Sequence, residues 1–438
     1  MRKMKDSGVE WIGEIPEDWE VKPLKYLGRF SSSGIDKKIV KNEDLVKIIN
    51  YVDVYNNPNF ELYNGNYMTV SASKNQIKEH LVNKGDLIFT PSSETVEEIG
   101  MSALVMEDLE NTAFSYHVIR FVFNNDNDVF FRYRRYLCNN SYVYNHFMIL
   151  AKGTTRKTLK RSDFNDTKVI LPPLKTQIKI ASHLDNKLIE ISNVKEAIVE
   201  ELQTLEVYKK SVITEAVTKG LDKNAEMKDS GIEWIGEIPK HWKLKRIRNI
   251  TTKSERGTSP TYTTDETLSK VVNQATFSSG YFDKSNIRFS SIPAKESKGL
   301  LEKGDVLIAS TGGGILGKTH YFMEDEEYVA DGHVTVMRTN PSIQNSKLLF
   351  YIFSINYDLI NGVLAKGSTN QTELQSVWLN NFKIPCPDVT EQEEIVSYLD
   401  KKTQAIDEVI AIKQNQLSLL DEYKKSLIYE YVTGKREV

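Results

Sequence analysis

A chain of 438 residues with 57 Lys and Arg against 60 Asp and Glu has a formal net charge of -3. That excludes a global basic footprint, so any nucleic-acid contact must come from local patches, with a partner to complete the positive surface. A hydrophobic content of 40% is that of a soluble globular protein, long enough for two or three domains with real cores. Cys138 and Cys386, the two cysteines, make neither a disulfide framework nor a metal site. The N-terminus MRKMKDSGVEWIGEIPEDW lacks the apolar core of a signal peptide. No apolar run approaches the length of a membrane span. A cytoplasmic location without membrane contact is expected.

In chain order, the first element is a short segment that occurs twice. Met4 to Trp19 reads MKDSGVEWIGEIPEDW, and Met227 to Trp242 reads MKDSGIEWIGEIPKHW. A match of this length marks an internal duplication. Each unit is this segment, then a globular region, then a long helix. Trp11, Ile12, Ile15 and Trp19, with Trp234, Ile235, Ile238 and Trp242 in the copy, give an apolar face to a segment kinked by Gly and Pro. They are expected to staple a globular region onto the helices.

The first globular region, about 20–173, carries strand signals at 45–50, 86–90, 101–106 and 117–123, then a helical stretch over 130–150 rich in Tyr and Phe. The second, about 243–387, carries strand signals at 275–277, 303–310, 319–322 and 332–338, then a helix around 347–359. Some landmarks agree. Lys84-Gly85-Asp86 matches Lys303-Gly304-Asp305, His117-Val118 matches His333-Val334, and Ala151-Lys152-Gly153 matches Ala365-Lys366-Gly367. Between them the side chains differ freely, so one scaffold is expected to present two different surfaces. The straps Leu171-Pro172-Pro173 and Ile384-Pro385-Cys386-Pro387 end each region and release the chain into a helix. Thr390-Glu391-Gln392-Glu393 reads as a capping box for the second helix.

The helices themselves repeat. Ala181, Leu184, Leu188, Ile191, Lys195, Ile198, Leu202, Leu205, Lys209, Val212 and Ala216 step by three and four without a slip, the seam of a coiled coil. The seam returns 215 positions on, as Val396, Leu399, Thr403, Ile406, Ile410, Lys413, Leu417, Leu420, Lys424, Leu427 and Tyr431. Neither segment contains Pro or Gly, and each should run roughly 60 Å. A seam that long must be covered, and packing one helix against the other is the simplest cover.

The sharpest chemical motif is Gly312-Gly-Gly-Ile-Leu-Gly317-Lys318-Thr319, which fits the phosphate-loop pattern G-x4-G-K-T. A phosphate loop must open a helix whose N-terminus holds the phosphates. Thr319 instead leads into His-Tyr-Phe-Met-Glu-Asp-Glu-Glu, which starts like a strand. A glycine-rich loop offering Thr311, Gly313 and Lys318 to a DNA phosphate is the better reading. The equivalent loop of the first unit, with Ser92 and Ser93, lacks the glycines and the lysine. The main basic patch is 152–161. There Lys152, Arg156, Lys157, Lys160 and Arg161 cluster with Thr154 and Thr155 and almost no acid, as a phosphate-tracking loop requires. The second copy, Lys366, Ser368, Thr369, Asn370 and Gln371, exchanges charge for amides. Asn and Gln pair bidentately with adenine, and Arg156 can do the same with guanine. His117 and His333 lie in apolar strand contexts and are expected to be packed. No catalytic motif is complete: Leu171-Pro-Pro-Leu174 lacks the amide and aromatic with which amino-methylating enzymes grip an amine.

As a set, the doubled SGxEWIGEIP segment, the KGD strand with its following loop, the AKG(S/T)T turn and the Pro-Gln-LD entry into each helix resemble the specificity subunit of type I restriction-modification systems. The match covers essentially the full length. The resemblance implies an α+β fold with an internal pseudo-twofold duplication. Residues 1–173 would be a first target-recognition domain and 174–220 a spacer helix. Residues 221–387 would be the second recognition domain and 388–438 the second spacer helix, antiparallel to the first. It implies that each domain reads one half of a split double-stranded DNA site, that two methylation subunits dock on the helices, and that restriction subunits complete the complex. S-adenosylmethionine, ATP and magnesium would belong to those partners, with no cofactor on this chain. Rods of roughly 60 Å would hold the two contacts no more than about 18 base pairs apart. The rival readings are a phosphate-loop NTPase and a coiled-coil scaffold that never meets DNA.

Overall fold

The computed structural model describes residues 3–125, 127–266, 268–312, 314–366 and 372–438. Gly313, Ser368, Thr369, Asn370 and Gln371, expected at the interface, lie outside the described residues. The doubled segment folds as a hairpin in both copies. Met4–Asp6 pairs with Glu14–Pro16, and Met227–Asp229 with Glu237–Pro239, in the same register. Ile12, Ile15 and Trp19 are buried in one copy and Ile235, Ile238 and Trp242 in the other, so the stapling role holds. Trp11 stacks on Tyr142 and His146, and Trp234 on Phe382.

The chain divides into two units, Met1–Val199 with Gln414–Val438, and Glu200–Lys413. The boundary falls inside both long helices, Leu174–Lys219 and Val389–Val432. In the first unit a five-stranded sheet runs in the order Gly28–Ser32, Ile119–Phe123, Leu87–Phe89, Ser102–Val105, Glu61–Leu62; only the last pair is parallel. A three-stranded sheet of Thr112–Phe114, Asp44–Ile49 and Met68–Ala72 lies in the same unit. The second unit repeats the plan with two four-stranded sheets. One runs Thr251–Arg256, Val334–Thr339, Val306–Ala309, Thr319–Tyr321, and the other Tyr262–Thr263, Arg288–Ser290, Ser269–Val272, Tyr328–Ala330. The sheets' inward residues are the apolar runs of the sequence: Leu87, Ile88 and Phe89, and Val306, Leu307 and Ile308, are wholly buried.

Three of the recurring motifs are latches. Gln177 and Gln392 are buried at the start of each long helix. Gln177 Nε2 donates to Pro172 O and Asp128 O, while its Oε1 accepts from Phe130 N. Gln392 makes the same set with Pro387 O, Ile343 O and Asn345 N. One amide thus ties strap, loop and helix together, and satisfies carbonyls that burial would otherwise leave unpaired. The aspartates of the LD pairs come about two turns later. Asp185 accepts from Arg132 (3.0 Å), Arg135 and Tyr136 (2.7 Å), and Asp400 from Lys347 (2.8 Å) and Tyr351 (2.6 Å). They fix the helices of the globular regions onto the long ones. The KGD aspartates hold their own turns: Asn83 N donates to Asp86 and Glu302 N to Asp305.

Inside each unit the long helices run antiparallel. In the first, His183 packs against Tyr431 and Lys195 pairs with Asp421 (2.6 Å). In the second, Glu201 pairs with Lys413 and Lys209 with Asp407 (2.6 Å). Leu184, Leu188, Ile191, Ile198, Leu399, Ile406 and Ile410 of the seam are buried, and Leu202, Leu205, Leu417 and Leu420 half-buried. Each fully buried Leu or Ile contributes about 1.5–3 kcal/mol. The seam lysines escape burial of charge by reaching an acid on the facing helix. Lys424 is the exception. Its ammonium donates to Pro58 O and lies over the Phe60 ring, and burial pushes it down to about 8.

Three expectations are corrected. Residues 275–277 are not a strand: Gln274–Thr276 is a single 3-10 turn. Asn273 Oδ1 accepts from Ala275 N while Thr276 Oγ1 accepts from Asn273 N, and this local capping overrides β propensity. The stretch 130–150 is broken at Asn139 and Asn140, whose amides bond back to Arg135 O and Tyr136 O before Asn140 caps a second helix. The second long helix is capped by Asp388, which accepts from Glu391 N. Glu391 instead takes the indole N–H of Trp242 at 2.9 Å.

Candidate nucleic-acid interface

Three segments distant in sequence meet in the first unit. Ser92–Ser93 pairs antiparallel with Lys157–Thr158, so the loop after the KGD strand and the basic turn are joined as two short strands. The turn needs glycine: Gly153 sits at φ +121°, and a Cβ there would lie 2.1 Å from Arg156 O. Arg156 is exposed yet held. Its Nε donates to Ser92 Oγ (3.0 Å), and its guanidinium lies 5.8 Å from the Tyr51 ring. Tyr51 in turn stacks on Tyr55 and donates to Ser93 Oγ. Among the described residues Arg156 pairs with no carboxylate. Lys157 is turned inward to Gly153 O (2.8 Å), while Lys152, Thr154, Thr155 and Lys160 are exposed. His117 is half-buried against Tyr116 (centroids 3.9 Å apart). Burial lowers its pKa, with Lys37 and Arg156 adding to the shift.

The second unit builds the equivalent place from other side chains. Thr311 bridges to Glu373, as Ser92 pairs with Thr158. Thr311 Oγ1 contacts His333 Nδ1 at 2.8 Å and Gln274 Oε1 at 3.3 Å. Arg256 donates to Ser310 O and Leu374 O and faces Glu373 at 3.5 Å. Lys366 lies in the short strand Ala365–Lys366, paired with Glu373–Leu374. Lys318 does not reach outward: its ammonium donates to Ser278 O at 2.5 Å. Thr319 opens the strand Thr319–Tyr321, so the phosphate-loop spelling has no helix N-terminus behind it. His333 is exposed rather than packed, because Asp331 draws its backbone N–H into a surface turn (2.8 Å).

Both places sit at the same point of the repeated plan. Tyr51 and Gln274 each follow an asparagine cap, Asn50 and Asn273, at the end of a strand. Each is brought against the loop after the KGD strand. The type I restriction modification DNA specificity domain model matches residues 16–204 and again 239–422. The chain belongs to that family. Its two DNA specificity domains are the two halves of the duplication, and the chain is a type I restriction-modification specificity subunit. The MjaX type I restriction enzyme specificity subunit of Methanocaldococcus jannaschii is 24% identical over 98% of this chain and 96% of its own length. The EcoKI specificity subunit of Escherichia coli K12 is 21% identical over 97% and 90%. In fold, the chain is similar to one from a study of complex assembly and conformational transition in a type I R-M system (TM-score 0.71, 17% identity, 96% of this chain and 99% of that one). It is also similar to the HsdS subunit of Thermoanaerobacter tengcongensis (TM-score 0.51, 17% identity, 96% and 98%).

The structure brings Ser92, Ser93 and Arg156 together, three residues that the sequence names on separate loops. Sequence reasoning missed Tyr51, Gln274 and Arg256. The one signal for the first two was the residue after an Asn at a strand end in both copies.

Proposed function

We propose that each specificity domain reads one half of a split double-stranded DNA site, and that this chain supplies recognition while its partners supply chemistry. The observation that carries this reading is the pair of unlike surfaces on one repeated plan: Tyr51, Ser92 and Arg156 in one unit and Gln274, Thr311 and His333 in the other. Two readers of the same sequence would need only one set of side chains. On this reading two methylation subunits dock on the paired helices and restriction subunits join the larger complex. S-adenosylmethionine, ATP and magnesium are carried by those subunits, in the cytoplasm where the host DNA lies. Among the described residues no helix is long and apolar enough to cross a membrane.

The deciding experiment maps methylated adenines in DNA exposed to the chain assembled with its methylation subunits. Two short sequences at a fixed gap are expected; methylation without sequence preference would overturn the reading. Removing one heptad from each long helix should shorten that gap, and an unchanged gap would refute a spacing role. A scaffold that never meets DNA predicts that Arg156→Ala and Lys157→Ala leave function intact, whereas a DNA reader predicts weaker and less salt-sensitive DNA binding.

A further inference from the structure

The glycine loop of the second unit is built around a glutamine. Gln274 is half-buried at the start of the 3-10 turn. Its backbone position is fixed by the Asn273 cap, whose side chain also bonds Asn286 O (2.9 Å). Gly312 passes over the amide at φ +91°, and a Cβ there would stand 3.4 Å from Gln274 Nε2. Only a residue without a side chain passes there unstrained.

The polarity of the contacts follows from proton counting. Gln274 Oε1 can only accept, so Thr311 spends its one hydroxyl proton on it (3.3 Å). In the tautomer of His333 that carries its proton on Nδ1, the 2.8 Å contact to Thr311 Oγ1 is donated by the ring nitrogen. His333 itself is braced, because its backbone N–H is held by the buried Asp331, which also accepts from Tyr262 (3.2 Å). In that tautomer the chain His333 to Thr311 to Gln274 holds Oε1 on the Thr311 side. Among the described residues Nε2 and the second lone pair of Oε1 have no further partner and are open to a ligand. Side by side they are the donor and acceptor that adenine N7 and N6 require in the major groove.

We propose that Gln274 is a specificity-determining residue that reads an adenine in one half-site, with Thr311 and His333 as its positioning residues. This rests on the DNA-reading function above. In the first unit Tyr51 occupies the equivalent position and its hydroxyl is already given to Ser93, so the other half-site has no counterpart to this contact.

The test is selection of a randomised duplex library by the full chain assembled with its methylation subunits, with sequencing before and after. For the parent chain, two specific half-sites are expected. Gln274→Ala should relax one adenine position of one half-site by on the order of ten- to a hundredfold. The other half-site should keep its preferences, which also shows that the variant is folded. Gln274→Glu, which keeps the shape but loses the donor, should move the preference at that position toward cytosine, whose N4 amine a carboxylate accepts. Thr311→Val should weaken the same position and no other. If the parent selects a split site and Gln274→Ala loses affinity evenly or not at all, Gln274 is not a reader, although the DNA function stands. Relaxation at a G·C position would overturn the adenine assignment. If the parent enriches no sequence, the DNA-reading function itself fails and the proposal with it.

Discussion

Asp185 in the first unit is buried and shared by two arginines and a tyrosine. Asp400, its counterpart, is 37% exposed at its side chain and shared by one lysine and one tyrosine. The same latch position is thus served by a closed ionic cluster in one unit and an open one in the other. The KGD aspartates differ in the opposite sense. Asp305 is gripped by both Nε and an NH2 of Arg338 at 2.8 Å, whereas Asp86 has Arg120 at 3.9 Å. The position of each latch is held between the copies, while its strength is not. What matters to the architecture is that the joint exists. Its chemistry has room to drift, as the reading surfaces do.

That contrast can be broken experimentally. The largest effect is expected from Asp185→Ala, which takes one of the two carboxylates from the buried Arg135, leaving it Glu61, and should cost about 3 kcal/mol. Asp400→Ala, open to solvent, should cost about 1 kcal/mol. Urea unfolding followed by tryptophan fluorescence separates them, and equal losses would erase the distinction. Next comes acid titration of Asp86, which burial raises to about 6 against the weaker opposing pull of Asn83 N–H and Arg120. A carboxyl whose folded pKa lies above its unfolded value stabilises in its protonated form. That contribution is whole below about pH 4 and is lost as pH rises through about 6, by at most about 3 kcal/mol. Asp86→Asn should flatten the slope of stability against pH in this window, and an unchanged slope would place the titration elsewhere.

Arg156→Ala should weaken DNA binding about tenfold. If Arg156 meets a phosphate, the slope of log K against log salt should also fall by about 0.9. If it meets a base, affinity falls with the slope unchanged and one guanine preference is lost. The smallest effect is expected at the seam. Lys209→Ala, which removes a half-exposed pair with Asp407, should cost no more than about 1 kcal/mol.

Much of the fold was legible because it rests on long periodic patterns. The duplication, both helices, the stapling segment and seven strands follow from repeats and from alternation that no local contact disturbs. The failures came where a single side chain decided. Asn273 turned a β-like Ala-Thr-Phe into a 3-10 turn, and Asp388 took the cap that Thr390 promised. The Gln and LD Asp were visible as recurring letters, but their role was not, since their partners at Asp128, Arg135, Ile343 and Tyr351 lie some fifty positions away. The interface was half legible for the same reason. A basic run announces itself, whereas Tyr51 and Gln274 acquire meaning only when the sheet brings a distant loop over them.

The hairpin at the start of the first unit shares a core with Leu427, Ile428, Tyr431 and Val432, so that unit is assembled from two stretches separated by the whole of the second. On the ribosome the order of completion is therefore inverted. The second unit, contiguous from Glu200 to Lys413, has all its parts in hand first, while the core around Trp19 and Ile15 lacks its share from 414–438 until more than two hundred residues after Val199. A chain cut short before Leu427 would leave the earliest-made unit as the unfinished one, open at an apolar face and ready for a chaperone.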